Sequence, residues 1–401
     1  MVDLQPLDGI KVLDLSRVLA GPFCTMNLAD LGADVIKVEP VATGDETRTW
    51  GPPFVGGESA YFLCVNRNKR SIAVDLKSTE GKRIIECLVK QSDVVIHNFL
   101  PPVADKLGVS YNHIREFNQE VIYCSVSGYG SNDLRPGYDY IMQAVGGLMR
   151  ITGEPQGQPM KVGVAITDLF TGLYATIAIQ AALLFKQRTG KGQRIDMALY
   201  DAQIAMLANV ASNVLIGGKD APRLGNGHPN IVPYQLFDTA DGSVIITVGN
   251  NHQFAALCRV FGLDDVLLDP RFQTNELRVA NRDTLVRVLS ATFKQLTTSQ
   301  ILAGCAEANV PSGPVLSVKE ALEAEDTARR DMLWHVNHPV LGDLRLVASP
   351  LKLSESPVCY KRVPPRHGEH TVDVLNELGF LPEQVQSWID KGVLKTCSIS
   401  H

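Results

Sequence analysis

A chain of 401 residues is longer than one hydrophobic core usually serves, which points to two domains or one elaborated domain. With 45% hydrophobic and 20% charged residues it has the balance of a globular chain, and a net charge of −5 argues against nucleic acid as a general partner. Eight scattered cysteines without a C-x-x-C pair read as reduced core residues, which sets aside a disulfide frame or a zinc site.

The opening "MVDLQPLDGIKVLDLS" has no basic n-region and no apolar h-region, so no signal peptide is predicted. "IKVLDL" (10–15) reads as a strand, followed by a helix through "CTMNLADLG" and a strand at "DVIKVE" (34–39). "SIAVDL" (71–76), a helix through "STEGKRIIECLVKQS", "DVVIHNF" (93–99) and, after another helical stretch, "VIYCSVSG" (121–128) repeat the pattern. Strand and helix in alternation predict an α/β fold with a parallel sheet and right-handed crossovers. The first turn, "SRVLAGPF", lacks G-x-G-x-x-G, which weighs against a conventional nicotinamide or flavin site.

"VGVAITDLFTGLYATIAIQAALLF" (162–185) is apolar almost all round. Its Thr, Gly, Tyr and Gln residues favour a buried core helix over a membrane span, so no membrane is expected. "TGKGQRIDMALYDAQIAMLANVASNVLIGG" (189–218) reads as a turn, a short strand and a second long apolar helix. The irregular "KDAPRLGNGHPN" (219–230) marks a domain boundary. "SVIITVGNNHQFAALCRVFG" (243–262) then restarts a strand, a turn and a helix. The helical "NRDTLVRVLSATFKQL" and "TSQILAGCAEANV" follow it. The expected division is a first domain over 1–218, a smaller α/β domain over 219–320, and a return to the first over 321–401, with a strand at "LRLVAS" (344–349) and a closing helix at "HTVDVLNELGF".

Asp168 stands where extended "KVGVAI" turns into the long helix. Thr167 or Asp168 as a plain helix cap is the bland reading; a partly buried carboxylate attacking a carbonyl is the chemical one. "NRNKRS" (66–71), with Arg17 and Lys77, is either a solvated loop or a phosphate site, and Asn98, Phe99 and Lys106 suit an adenine or pantetheine chain. "RLGNGHPN" and "VGNNHQF", the latter holding Gly249, Asn250, Asn251 and His252, are turn chemistry or a flap that excludes water. His367 and His370 are separated by Gly368 after two prolines, and no cysteine or carboxylate completes a set, so no metal is expected.

Taken together, "LDGIKVLDLSRVLAGPF", "LGADVIKVEP", "GDETRTWGPPF", "NRNKRSIAVDLKSTEGK", "NFLPPVADKLG", "VIYCSVSGYG", the "TD" at 167–168, "TGKGQRIDMALYDA" and "GNGHPNIVPYQLF" resemble the family III CoA-transferases from about residue 5 to about 375. "TRTWGPPF", "HPNIVPYQLF" and "VGNNHQF" look most like the branch that moves CoA from succinyl-CoA to glutarate or related dicarboxylates. The resemblance implies a homodimer of two interlocked rings, each subunit with a large Rossmann-like domain and a small one. It implies Asp168 as nucleophile, passing through a mixed anhydride and an aspartyl-CoA thioester. It also implies CoA contacts at Val18, Lys69, Asn98, Phe99 and Lys106, with Tyr138 near the reacting centre. CoA thioester and carboxylic acid are then substrates, and no cofactor is held permanently.

Three positions depart from the family pattern. Leu19 stands where formate-handling members carry Gln, Pro40 replaces an arginine, and "GNNHQ" replaces a glycine-only flap. An acyl-CoA α-carbon racemase of the same fold is the rival reading, but Tyr138 stands where that enzyme needs His. A CoA-binding protein without turnover is the other rival. Arg17 and the basic residues near the domain boundary, Arg223 for example, are candidates to pair with a distal carboxylate, and no spacing picks glutarate over itaconate, mesaconate or malate. The start at Met1 favours a cytoplasmic protein over a mitochondrial one trimmed of its transit peptide.

Overall fold

The computed structural model describes residues 4–397. They form two compact units. The first takes the chain up to Gly146, Val162–Leu207 and the chain from Asp326 on; the second takes Gly147–Lys161 and Ala208–Glu325.

In the first unit the chain runs β1 (Lys11–Asp14), α1 (Ala20–Asp30), β2 (Asp34–Glu39), β3 (Lys69–Val74), α2 (Thr79–Gln91), β4 (Val94–His97), α3 (Pro101–Leu107), β5 (Ile122–Ser127), α4 (Asp139–Val145), α5 (Ile166–Thr189), β6 (Arg194–Ala198) and α6 (Leu199–Met206). The sheet order is β3-β2-β1-β4-β5-β6, every pair parallel, with Leu394–Lys395 added antiparallel on the outer edge of β3. Chain order reverses between β1 and β4. In an open α/β sheet the crevice at such a reversal is where ligands bind.

Both faces of the sheet are covered, which is why its strands read as near-continuous apolar runs. Leu13, Ile72 and Val95 face Ile84 and Leu88 of α2 and Val374, Leu375 and Trp388 of the C-terminal segment. Val12, Val35 and Ile96 face Cys24 and Leu28 of α1 and Ala175 and Ile179 of α5. Neighbours Val12 and Leu13 thus serve opposite layers, as a period of two requires.

Helix α5 is long and apolar enough to cross a bilayer by composition. Thr171, Gly172, Ala175, Thr176, Ile179 and Ala182 form its buried stripe, and a Cβ on Gly172 would lie 2.7 Å from the Ala20 carbonyl oxygen of α1. Small residues let the two backbones approach closely. The expectation of all-round burial is corrected: Leu173, Tyr174, Ile177, Leu184 and Phe185 remain exposed. "KVGVAI" forms no strand before α5. The strand expected at 71–76 begins earlier, at Lys69, and the second long helix is two, α6 and α7 (Ala208–Gly217), interrupted where Ala208 takes φ 43°.

The second unit holds an antiparallel sheet of Tyr234–Asp238, Ser243–Thr247 and Ser312–Pro314, the middle strand in the centre. Its core joins Phe237, Val244 and Ile246 to Phe254 and Leu257 of α8 (Asn251–Val260) and to Leu285, Leu289 and Phe293.

Candidate active site

Two cavities open at the reversal point of the first unit. One, about 440 Å³, lies over the ends of β1, β2 and β3 and is lined by Leu15, Val38, Val74, Lys77, Phe99 and Leu107 among others. The other, about 260 Å³, is lined by Val18, Glu46, Asn98, Ser127, Tyr138 and Asp168 among others. Arg17 and Phe99 border both, so the two are neighbouring stretches of one groove. A larger cavity of about 730 Å³ in the second unit has Lys219, Asp220 and Arg282 as its charged lining. All three of these side chains are at least partly exposed.

Helix α5 begins at Ile166 after Ala165, whose side chain cannot cap it. Asp168 is therefore the third helical residue. The cap comes from α4: Asp139 Oδ1 accepts the N–H groups of Thr167 at 2.8 Å and Asp168 at 3.3 Å. Its Oδ2 accepts the Gln143 amide at 2.7 Å, and Gln143 in turn accepts the Val162 N–H at 2.9 Å. The Thr167 hydroxyl donates to Gln203 at 2.6 Å. The reading of Thr167 or Asp168 as cap is thus corrected. Asp139 satisfies the free amides of the first turn and leaves the Asp168 side chain clear. Burial, and then the Asp139 charge, push the Asp168 carboxyl up to about 7.

The turn after β1 is held by buried ions. Lys37 donates to the Ser16 carbonyl at 2.9 Å and pairs with Asp45 at 2.8 Å, and Asp14 accepts the Ser16 N–H at 2.9 Å. Despite full burial, Lys69 and Lys37 hold the Asp14 carboxyl below the usual range. Asp45 also takes the Val18 N–H at 3.4 Å. Val18 has φ 68°, a left-handed conformation that a β-branched residue rarely adopts. Leu19 is buried against Met26 and Val65, in contact with Tyr61, whose phenol is pushed up to about 12 by burial and then the Asp168 charge.

Asn98 accepts the Arg17 N–H at 3.0 Å and donates to the Arg17 carbonyl at 2.8 Å. Its side chain braces the first turn as well as lining the groove. Phe99 donates its N–H to His97 Nδ1 at 3.0 Å and stacks on that ring. Tyr123 lies 2.6 Å from His97 Nε2 and gives its own hydroxyl proton to the Val109 carbonyl. This network assigns the proton to Nε2 of a neutral imidazole, and burial and Arg194 hold its pKa down at about 4.

Of the residues assigned to CoA, Val18, Asn98, Phe99 and Tyr138 line the Asp168 cavity. Lys69 is corrected: it lies inside β3, fully buried, with its ammonium on Asn66 at 2.8 Å, the Pro22 carbonyl at 2.9 Å and Asp14 at 3.3 Å. "NRNKRS" is buried throughout, and neither the solvated-loop nor the phosphate-site reading survives. Arg67 pairs with Asp30, and Arg70 with Asp34 and Glu377. Of that basic group, Lys77 and Arg17 are the cations that reach the groove. Lys106 is exposed on α3 and borders neither cavity.

In the second unit, Asn250 caps α8 by accepting the Gln253 N–H at 2.9 Å. Gln253 accepts the Gly249 N–H at 2.8 Å, and Asn251 accepts from the buried Arg278 at 2.9 Å; His252 is exposed. Arg223 donates to the Gly157 carbonyl at 2.8 Å.

With a half-buried carboxylate of raised pKa in the groove at the reversal point, the family model for CoA-transferase family III matches residues 7–371. The chain belongs to the family III CoA-transferases. The human succinyl-CoA:glutarate CoA-transferase is 45% identical over 94% of this chain and 87% of its own length. The succinate–glutarate CoA-transferase of Agrobacterium fabrum is 45% identical over 93% and 96%. Among solved structures, a CaiB/BaiF family protein from Brucella suis superposes with a TM-score of 0.83 at 44% identity, over 93% of this chain and 99% of its own. This CoA-transferase uses CoA thioesters as substrates and has a mixed α/β fold with a mainly parallel central sheet.

Proposed function

We propose that this CoA-transferase moves CoA from succinyl-CoA to a dicarboxylate of the glutarate class, with Asp168 as covalent nucleophile. The carrying observation is Asp168 itself, clear of its helix cap and half-buried in the groove. Its ionised carboxylate attacks the thioester carbonyl; the new C–O bond forms as the C–S bond breaks, and CoA thiolate leaves with the electron pair. Thiolate then attacks the aspartyl carbonyl of the anhydride, releasing succinate and leaving an Asp168–CoA thioester. Acceptor carboxylate attacks that thioester, and the freed thiolate takes the acceptor acyl group, which restores Asp168. No net proton is needed. A carboxylate is a weak nucleophile in water, so a dry groove with a raised pKa suits the step.

The adenine end of CoA is assigned to the cavity of about 440 Å³ beside Lys77 and the pantetheine arm to the stretch that Arg17 and Phe99 border, with Val18, Asn98 and Tyr138 beside the thioester. The names of the two 45% identical relatives support the glutarate class. Gly249, Asn250, Asn251 and His252 are assigned the role of flap. The exposed apolar face of α5 supports a homodimer, and its interlocked-ring form rests on the family resemblance alone. With succinyl-CoA, hydroxylamine or borohydride is expected to tag Asp168, and Asp168→Asn is expected to lose transfer by at least a thousandfold. Retained exchange in Asp168→Asn would sink the covalent route, and an untagged protein that inverts an α-carbon would make it a racemase.

A further inference from the structure

Arg17 leaves the groove's first turn with its main chain clamped by Asn98 and its guanidinium turned to Glu46, Nη1 to Oε1, at 2.7 Å. The guanidinium also lies 5.7 Å from the centre of the Phe99 ring, and its Nε is buried without an acceptor among the described residues. Glu46 opens the short turn Glu46–Thr49, and the residue before it, Asp45, is buried on Lys37. The carboxylate therefore rises from a fixed base.

The two side chains are 38% and 41% exposed. An ion pair that open shifts an equilibrium by at most about fivefold, or about 1 kcal/mol. It is a poor stabiliser of the fold, yet both partners border the Asp168 cavity, and Arg17 borders the next one too. A carboxylate here also repels the anions that must enter. We propose that Glu46 is a built-in competitor for an anionic group of the substrate: Arg17 rests on Glu46 in the free protein and passes to the substrate on binding.

This rests on the reading of the groove as a CoA-transfer site. The ligand chemistry is a fork of two anionic oxygens, which matches a planar guanidinium. Its source is either the distal carboxylate of a dicarboxylate or a phosphate of CoA. A monocarboxylate acceptor has no second charge to release Arg17, so the pair also works as a selectivity filter.

The test uses Glu46→Gln and Arg17→Met, singly and together. It measures KM for glutarate and for succinyl-CoA, KM or Ki for valerate, which lacks the distal carboxylate, and Kd for free CoA on Asp168→Asn protein by calorimetry. If the distal carboxylate is the ligand, Glu46→Gln lowers KM for glutarate about three- to fivefold and leaves valerate alone. Arg17→Met raises KM for glutarate at least tenfold, and adding Glu46→Gln then changes nothing further. If a phosphate is the ligand, the same pattern appears in the Kd of CoA and the KM of succinyl-CoA, with glutarate unmoved. Either pattern supports the competitor. Unchanged constants for all ligands, a raised KM in Glu46→Gln, or an equal effect of Glu46→Gln with and without Arg17 would overturn it. Failure of the transfer reading looks different: wild-type protein would give no adduct on Asp168, while the CoA titration would still report on Glu46.

Discussion

Two carboxylates at the head of α5 divide the labour of one site. Asp139 takes the helix amides and Asp168 is left free with its pKa raised to about 7, by burial first and by Asp139 second. The attacking form is the anion, so kcat/KM for the CoA donor is expected to rise about tenfold per pH unit below 7 and to level off above about 8. Asp139→Asn keeps an oxygen for the Thr167 amide but removes the charge. Its pH profile is expected to move to lower pH, with a lower plateau as the cap weakens. A profile with an unmoved midpoint would show that Asp139 does not act on the charge of Asp168. The motif that led to Asp168 was visible in the chain, but its cap was not. Asp139 lies 29 residues upstream, and only the lack of a capping side chain at Ala165 hinted that a cap must come from elsewhere.

At the scale of elements, the alternation of strands and helices was legible because both faces of the central strands are buried, so β1, β4 and β5 are rich in apolar residues. Charged strand residues were not. Nothing in the sequence marks the Lys37 and Lys69 side chains as buried, because their burial depends on tertiary pairing of Lys37 with Asp45 and of Lys69 with Asp14. For the same reason "NRNKRS" read as a solvated or phosphate-binding stretch when it is the buried approach to β3 and its first three residues. Removing one member of such a buried pair costs about 3–5 kcal/mol. Contact between α1 and α5 is equally exacting. A Val side chain at Gly172 meets the Ala20 carbonyl, the Phe23 ring and the Cys24 amide nitrogen. Gly172→Val is expected to lower the melting temperature by several degrees and to cut kcat more than it raises KM for succinyl-CoA, because it displaces the helix that carries Asp168. Unchanged melting and turnover would mean that the two helices part without cost.

For the whole molecule, the exposed face of α5 and the exposed Leu215 and Ile216 of α7, at 84% and 88%, are large apolar surfaces for a lone chain. A second copy covering them is expected from the proposed dimer. Sedimentation of wild-type protein should give twice the chain mass of 43.7 kDa, and Leu173→Asp with Ile177→Asp should shift it toward one. A monodisperse wild-type monomer would remove the dimer from the account.

The sheet edge formed by Leu394–Lys395 on β3 bears on how the chain is born. A ribosome delivers β3 more than three hundred residues before its edge partner. During that interval the N-terminal strands carry an open hydrogen-bonding edge, while the second unit, mostly one uninterrupted stretch, already has its own core to bury. Cotranslational folding should therefore finish the inserted unit first and the unit that carries Asp168 last. Long pauses before the final codons would favour aggregation through that edge more than pauses elsewhere.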